Sequence, residues 1–330
     1  MKKNLIALSA ALALCALSSC GKSSTIHIGI LQLVSAPPLN AVAENFEAEI
    51  KASDWAKGKT IEFDLQNPQA DETTMATMAT KLASSSDLVL SIATSASQAM
   101  KQAIGKLDKE IPLVFSAVTD PVGANLVTTT TAAPGSFVTG VSDMGDPKKS
   151  MDLIADNFPS IAKKIGMIYN TGESNSRQQI ALATAEAEAK GWTVFDKAVS
   201  SETEIATSLA GLGDDVKMLY YPTDNMCASN TAQIAKFCKE RGVFACCGDS
   251  SLVATATGGA LFSLGVDYAS LGTQAGSLAL SILDGTKKAS ECTVEFANKL
   301  PLVVNTKVAT DWGVTLPQSL ISAADEVISQ

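Results

Sequence analysis

Ten short apolar runs of β type, each followed by a stretch with helical spacing, constrain this chain more than any other feature. They fall at residues 27–33, 60–65, 87–93, 112–117 and 137–142, then at 165–169, 192–196, 217–221, 243–247 and 261–265. Between them, in 39–51, 95–106, 174–190 and 226–241, apolar residues recur at intervals of three and four. A strand buried on both faces reads as a continuous apolar run, and regular strand–helix alternation puts helices on both faces of a parallel sheet. Ten strands divide into two sheets of about five. A single helix at 148–157 fills the space between the fifth and sixth runs, so the chain is expected to change domain near Ser142 and Asp143. The expected fold class is α/β, with two doubly wound, Rossmann-like parallel-sheet lobes.

The chain of 330 residues is 46% apolar and 18% charged, which describes a packed globular protein and excludes a disordered one. A net charge of −9 with no basic cluster argues against a nucleic-acid partner. Lys2 and Lys3 precede an apolar run at 5–17. A membrane span needs about 20 residues, so this run reads as a secretory signal, residues 1–19. The following Leu17-Ser18-Ser19-Cys20 resembles the lipobox of bacterial lipoproteins. That resemblance implies cleavage before Cys20, lipidation of Cys20, a tether at 20–25, and an exported body lipid-anchored to a bacterial membrane, in the periplasm or at the cell surface. The alternative is an ordinary signal peptide that contains a cysteine.

Beyond the leader the cysteines are Cys227, Cys238, Cys246, Cys247 and Cys292, an odd number with no CxxC pair. Neither a disulfide framework nor a zinc ribbon follows from that pattern. Cys227 and Cys238 fall on one face of the helix expected over 226–241, roughly 16 Å apart at about 1.5 Å per residue, too far to bond. Buried apolar cysteine is the reading. His27 is the sole histidine and lies in the first strand. No GxSxG elbow and no GxGxxG turn is present, and the GKSS at 21–24 lacks both the leading glycine and the preceding strand of a phosphate loop. No catalytic residue, cofactor or metal is assigned; an enzyme on this fold would need a base and a nucleophile that the sequence does not place.

Six polar tips remain at the carboxyl ends of the strands, where open α/β sheets bind ligands. Gln32 and Ser35 follow the first strand, 93–98 the third, 116–121 the fourth, 170–176 the sixth, 221–225 the eighth and 247–250 the ninth. Any one tip is explained as a helix cap, because Ser, Thr, Asp and Asn are preferred there. Six tips over two sheets point to a cleft, and their chemistry suits an amino acid. Thr94 and Ser95 at a helix N-terminus suit a carboxylate, worth about 0.3–2 kcal/mol from the dipole. Asp120, Glu173, Asp224 or Asp249 suits an ammonium.

These strings resemble the TrpX/TrpY-type substrate-binding proteins of ABC transporters, which have the type I periplasmic binding protein fold. The matching stretches are GILQ at 29–32, SIATSASQA at 91–99, IPLVFSAVTDPVGANLV at 111–127, VTGVSDM at 138–144, KKIGMIYNTGESNS at 163–176, YYPTDN at 220–225, GD at 248–249, LGVDYASLGTQAG at 264–276 and LPLVVNTKVATDWGVTLPQSL at 300–320. The resemblance implies two lobes joined by a hinge, 26–141 with 266–297 and 142–265 with 298–330, closing on a small solute. It also implies delivery to an ABC permease by a monomer, with tryptophan or another aromatic amino acid as solute and no cofactor. The ligand contacts it implies are Gln32, Thr94, Ser95, Thr119, Asp120, Asn170, Glu173, Asn175, Ser176, Thr223, Asp224, Asn225 and Asp249. The chain departs at 34–40, where related sequences place His-Pro and then Asp, and at Thr171, where a proline is usual. Both departures bear on the side chain bound, at Ser35 and Asn40 above all, rather than on the amino-acid framework. A ligand sensor reporting occupancy to a membrane receptor is the alternative function.

Overall fold

The structure, a computed structural model, describes residues 25–107, 110–254 and 258–330. The expected signal at 1–19, Cys20 and the tether up to residue 24 lie outside the described residues. In chain order the first part comprises β1 (Ile26–Gln32), α1 (Pro37–Ala52), β2 (Ile61–Gln66), α2 (Glu72–Ser85), β3 (Leu88–Ile92), α3 (Thr94–Ile104), β4 (Leu113–Ser116) and β5 (Val138–Ser142). There follow α4 (Pro147–Asn157), β6 (Lys164–Asn170), α5 (Ser174–Ala189), β7 (Thr193–Val199), α6 (Glu202–Ala210), β8 (Met218–Tyr221), α7 (Asn225–Ser229), α8 (Thr231–Arg241), β9 (Phe244–Asp249), α9 (Ser250–Val253) and β10 (Phe262–Val266). The chain ends with α10 (Tyr268–Leu283), β11 (Glu295–Phe296), β12 (Leu302–Asn305), α11 (Thr306–Asp311), α12 (Gln318–Ala323) and β13 (Glu326–Ile328). Among the described residues no helix is long and apolar enough to cross a membrane.

The strands form two sheets, ordered β2-β1-β3-β4-β5-β11 and β7-β6-β8-β9-β10-β12-β13. Every pairing is parallel except that of β10 with β12. Every residue of β3, β4, β5, β8 and β10 is buried, which is why these strands are mostly apolar, with no charged residue and only an occasional small hydroxyl such as Ser91 or Thr139. Each sheet is doubly wound, and its order reverses between β1 and β3 or between β6 and β8. Such switch points open crevices at the carboxyl ends of the strands.

All ten expected strands form, but the sheets have six and seven strands rather than about five. The additions are β11, β12 and β13, at most four residues each, too short to show a period. β12 follows Pro301 and is buried by lying between β10 and β13. The helix expected over 226–241 also divides. Asn230 leaves helical geometry at φ −117° and ψ 23°, and its Nδ2 donates to the Met226 carbonyl at 2.9 Å. Apolar spacing carries across the break, so periodicity alone reads through it. Cys227 and Cys238 therefore lie on separate helices, both buried. All five cysteines named above are free and buried, and burial pushes the Cys247 thiol up to about 12, so they pack as neutral core groups.

Each sheet has its own apolar core. Phe46, Leu82, Phe115 and Leu271 belong to one; Met167, Tyr220, Tyr221 and Phe262 belong to the other. The chain passes between the sheets after β5, after β10 and before β12. After the second passage α10 docks against α1 through Gly272 and Gly276. A Cβ at 272 would stand 2.5 Å from the Val42 carbonyl oxygen, and one at 276 would stand 2.8 Å from the Glu49 Cβ. Hydrogen at these positions lets the two backbones approach, which sets the position of Tyr268 at the start of α10.

Candidate functional site

The carboxyl ends of both sheets face one cleft, and local capping builds its walls. On the first side, Ser142 ends β5 and donates to the Thr119 carbonyl at 3.0 Å, joining the loops that follow β4 and β5. Asp143 comes next. Its Oδ1 accepts from Thr119 Oγ1 at 2.9 Å and its Oδ2 from the Tyr268 hydroxyl at 2.7 Å. Two alanines hold strained left-handed φ at these strand ends, Ala93 at 80° after β3 and Ala117 at 55° after β4. Strain of this kind costs about 1–3 kcal/mol per residue and gathers where a site needs a particular backbone path.

On the second side, Asp249 closes β9 and caps α9, its Oδ1 accepting from the Ser251 amide at 2.9 Å and hydroxyl at 2.7 Å. Asp224 caps α7 through the Cys227 amide at 2.8 Å and accepts from the Asn170 amide at 2.7 Å. Glu173 reaches the same helix start, accepting from Asn225 Nδ2 at 2.6 Å and from the Asn225 and Met226 amides at 3.2 and 3.4 Å. Asn175 donates to the Thr223 carbonyl at 3.0 Å. Gln179 donates to Thr223 Oγ1 at 2.6 Å and, at 3.4 Å, to Thr119 Oγ1 on the opposite side.

The cleft is lined by Pro38, Leu39, Ala117, Asp143 and Tyr268 from the first side and by Asn175, Thr223, Asp224, Asn225, Ala228, Asp249 and Leu252 from the second. No lysine or arginine is among them. Burial, with the nearby charges of Asp143 and Asp267, raises Asp249 to about 7. Burial and the charge of Asp224 raise Glu173 to about 7. Burial also raises Asp143, against the lowering effect of Tyr268 and Thr119. The walls are close: the free space is about 10 Å³, room for a single water. A solute enters only if the two sides separate.

Of the residues expected from sequence, Asn175, Thr223, Asp224, Asn225 and Asp249 line the cleft together. Thr119, Asn170 and Glu173 stand one layer behind, bonded to Asp143, Asp224 and Asn225. Gln32 is buried and braces the turn after β1, donating to the Val34 carbonyl at 2.9 Å and to Asn40 Oδ1 at 2.6 Å. Ser176 is buried with its hydroxyl unpartnered, and Thr94 is buried at the first position of α3. Two residues lie elsewhere. Ser95 is exposed along an outer groove with Glu72, Met75 and Gln98. Asp120 turns back to accept from the Gly123 amide at 2.8 Å. Asp143, Tyr268 and Gln179 were not singled out from sequence. Asp143 directly follows β5 and Tyr268 comes two residues after β10, so the strand-end rule applied to every strand would have found both; Gln179 lies inside a helix and carries no such signal.

The model of the ABC transporter substrate binding protein family matches residues 27–328. The tyrosine-binding protein of Clostridioides difficile is 34% identical over 280 residues, 84% of this chain and 78% of that protein. Two solved structures are each 31% identical, each covering 92% of this chain and 100% of the other, yet they overlay differently. The ABC domain in complex with L-Trp from Streptococcus pneumonia gives a TM-score of 0.82. The ligand-free, open structure of a substrate binding protein with adhesive properties from Clostridium difficile gives 0.68. At equal identity, the difference matches the closed cleft described above. The chain thus belongs to the substrate-binding proteins of ABC transporters, of the TrpX/TrpY type on the type I periplasmic binding protein fold, and it is a solute-binding protein rather than an enzyme.

Proposed function

We propose that this protein captures an aromatic amino acid, tryptophan or tyrosine, in the cleft between its sheets and hands it to the permease of an ABC importer. The observation that carries the reading is the cleft's composition: buried acids at the strand ends, no basic residue, and apolar Leu39, Ala228 and Leu252 beside them. Relatives named for tyrosine and solved with L-Trp support the same solute class. In this reading 26–141 with 266–297 and 142–265 with 298–330 move as two lobes about a hinge. Asn175, Thr223, Asp224, Asn225 and Asp249 touch the solute. Thr119, Asn170, Glu173, Ser176, Gln32 and Thr94 hold the frame; Ser95 and Asp120 serve the outer face.

The experiment is a thermal-shift screen of the twenty amino acids, followed by calorimetry, since a solute that binds only the folded protein stabilises it by mass action. Tryptophan or tyrosine should raise the transition most. A shift from some other solute alone would remove the aromatic assignment. The protein acts as a monomer, lipid-anchored through Cys20 outside the cytoplasm. Cys20→Ser should release it from the membrane fraction; continued membrane retention would refute the anchor.

A further inference from the structure

Each of the three passages between the sheets is held from both ends, and the two holds belong to different sheets. In the first passage Asp143 is held by first-side groups, accepting from Thr119 Oγ1 and the Tyr268 hydroxyl, and the Met144 amide donates to Ser142 Oγ at 3.2 Å. Asp146 already belongs to the second side. Its Oδ1 accepts from the Lys149 amide at 2.9 Å and caps α4, whose Met151 and Ile154 enter the second core. Gly145 lies between, and among the described residues a Cβ there would meet nothing within 4 Å. In the second passage the Gly265 amide donates to the Pro301 carbonyl at 3.3 Å on the second side, while Asp267 caps α10 on the first through the Ser270 amide at 3.1 Å. Val266 stands between them. Its carbonyl accepts from Ser250 Oγ at 2.7 Å, its side chain sits in the first core, and the register of β10 on β9 shifts between Ser263 and Val266. In the third passage the Ala297 amide donates to the Ser142 carbonyl at 2.9 Å and Asn298 Oδ1 accepts from Ser270 Oγ at 3.3 Å, both on the first side. The Leu302 amide donates to Asp325 Oδ2 at 2.8 Å on the second, which leaves Lys299 and Leu300 between.

A hinge absorbs its rotation in a few backbone torsions, and these fall where neither rigid body holds the chain. We propose that closure turns on Gly145, Val266 and the pair Lys299 and Leu300, and that the Tyr268–Asp143 hydrogen bond is the tie that makes the passages turn together. On the first side that bond joins the second passage to the first, and the Ala297–Ser142 bond joins the third to the first, so the three exits move as one body. The inference rests on the two-lobe reading above and moves its first boundary from residue 142 to Gly145. Asp143 therefore rides with the first sheet. Tyr268 is a positioning residue: one hydroxyl orients Asp143 in the cleft and ties the hinge beside it.

The test compares wild type, Gly145→Ala, Lys299→Gly and Tyr268→Phe by titration calorimetry and by small-angle X-ray scattering with and without L-tryptophan. Alanine at 145 fits the closed form without contact and removes backbone conformations from the open one, so Kd should tighten about 2- to 5-fold. Glycine at the exposed position 299 adds such conformations to the open form and should weaken Kd by a similar factor. A substitution outside a hinge changes Tm but treats the open and closed forms alike, so an unchanged Kd in both variants overturns the pivots. Tyr268→Phe keeps the ring and removes the tie. Without solute it should show a larger radius of gyration than wild type, and tryptophan should compact it less completely. Scattering identical to wild type in both conditions refutes the tie. If tryptophan neither binds nor compacts wild type, the aromatic assignment falls by itself, and the same comparison is made with the solute the screen finds. Scattering that no bound solute changes overturns the hinge and the two-lobe reading together.

Discussion

Asp249→Asn should move stability and binding in opposite directions. Asp249 is 2% exposed, and its carboxyl rises from an ordinary 3.8 to about 7, chiefly through burial. That rise corresponds to about 4 kcal/mol against the ionised form, at about 1.4 kcal/mol for each factor of ten. The folded state holds the proton more tightly than the unfolded chain, so stability is highest below pH 4 and declines until pH 7. Above pH 7 both states are ionised and the whole penalty is present. Asparagine carries no charge and keeps an oxygen for the Ser251 amide, so the penalty disappears. Opening of the cleft hydrates the wild-type carboxylate and limits the gain, so about 1–2 kcal/mol is expected at pH 8 and none at pH 4. Differential scanning calorimetry without solute should therefore show a higher Tm for the variant at pH 8 and equal values at pH 4. With an amino acid the sign reverses: losing the buried partner of an ammonium costs about 2–5 kcal/mol, or about 30- to 5,000-fold in Kd. A variant that is less stable than wild type at pH 8, or that binds normally, would refute this account of the cleft.

Asp249 and Glu173 both rise to about 7, so the solute-free wild-type protein should melt higher at pH 5.5 than at pH 8; a flat or inverted profile counts against ionisation in a closed cleft. Gln179→Ala strips the buried Thr223 amide of its acceptor and removes the bond to Thr119 across the cleft. The closed form should lose about 1–3 kcal/mol, and titration calorimetry should show Kd weakened roughly 5- to 150-fold, whereas an unchanged Kd would remove Gln179 from closure. Gly272→Ala forces a methyl against the Val42 carbonyl oxygen and should destabilise the fold by about 1–3 kcal/mol in urea titration; a neutral result would mean that α1 and α10 shift apart freely.

The elements legible in the sequence are those whose environment writes a local pattern. β3, β4 and β8 are buried on both faces, so each is a mostly apolar run with no charged residue. Asp224 and Asp249 were visible because a carboxylate after a buried strand is the natural cap for the next helix. That same capping is why sequence could not rank them: Asp224 is consumed at α7, and Asp120 by its own turn. The break at Asn230 kept its helical spacing, and β12 acquired its burial from β10 and β13, between which it lies.

What the sequence by itself determined is the βα order and the strand-end placement of polar residues, since burial and capping act between residues near in the chain. Only the tertiary structure decided which acids meet. Asp143 is held by Tyr268, 125 residues later, and reaches that partner because α10 returns to pack on α1 after the second passage between the sheets. Asp249 joins it from the other sheet. Electrostatics in a dry cleft depends on distance through space, and no spacing along the chain records it.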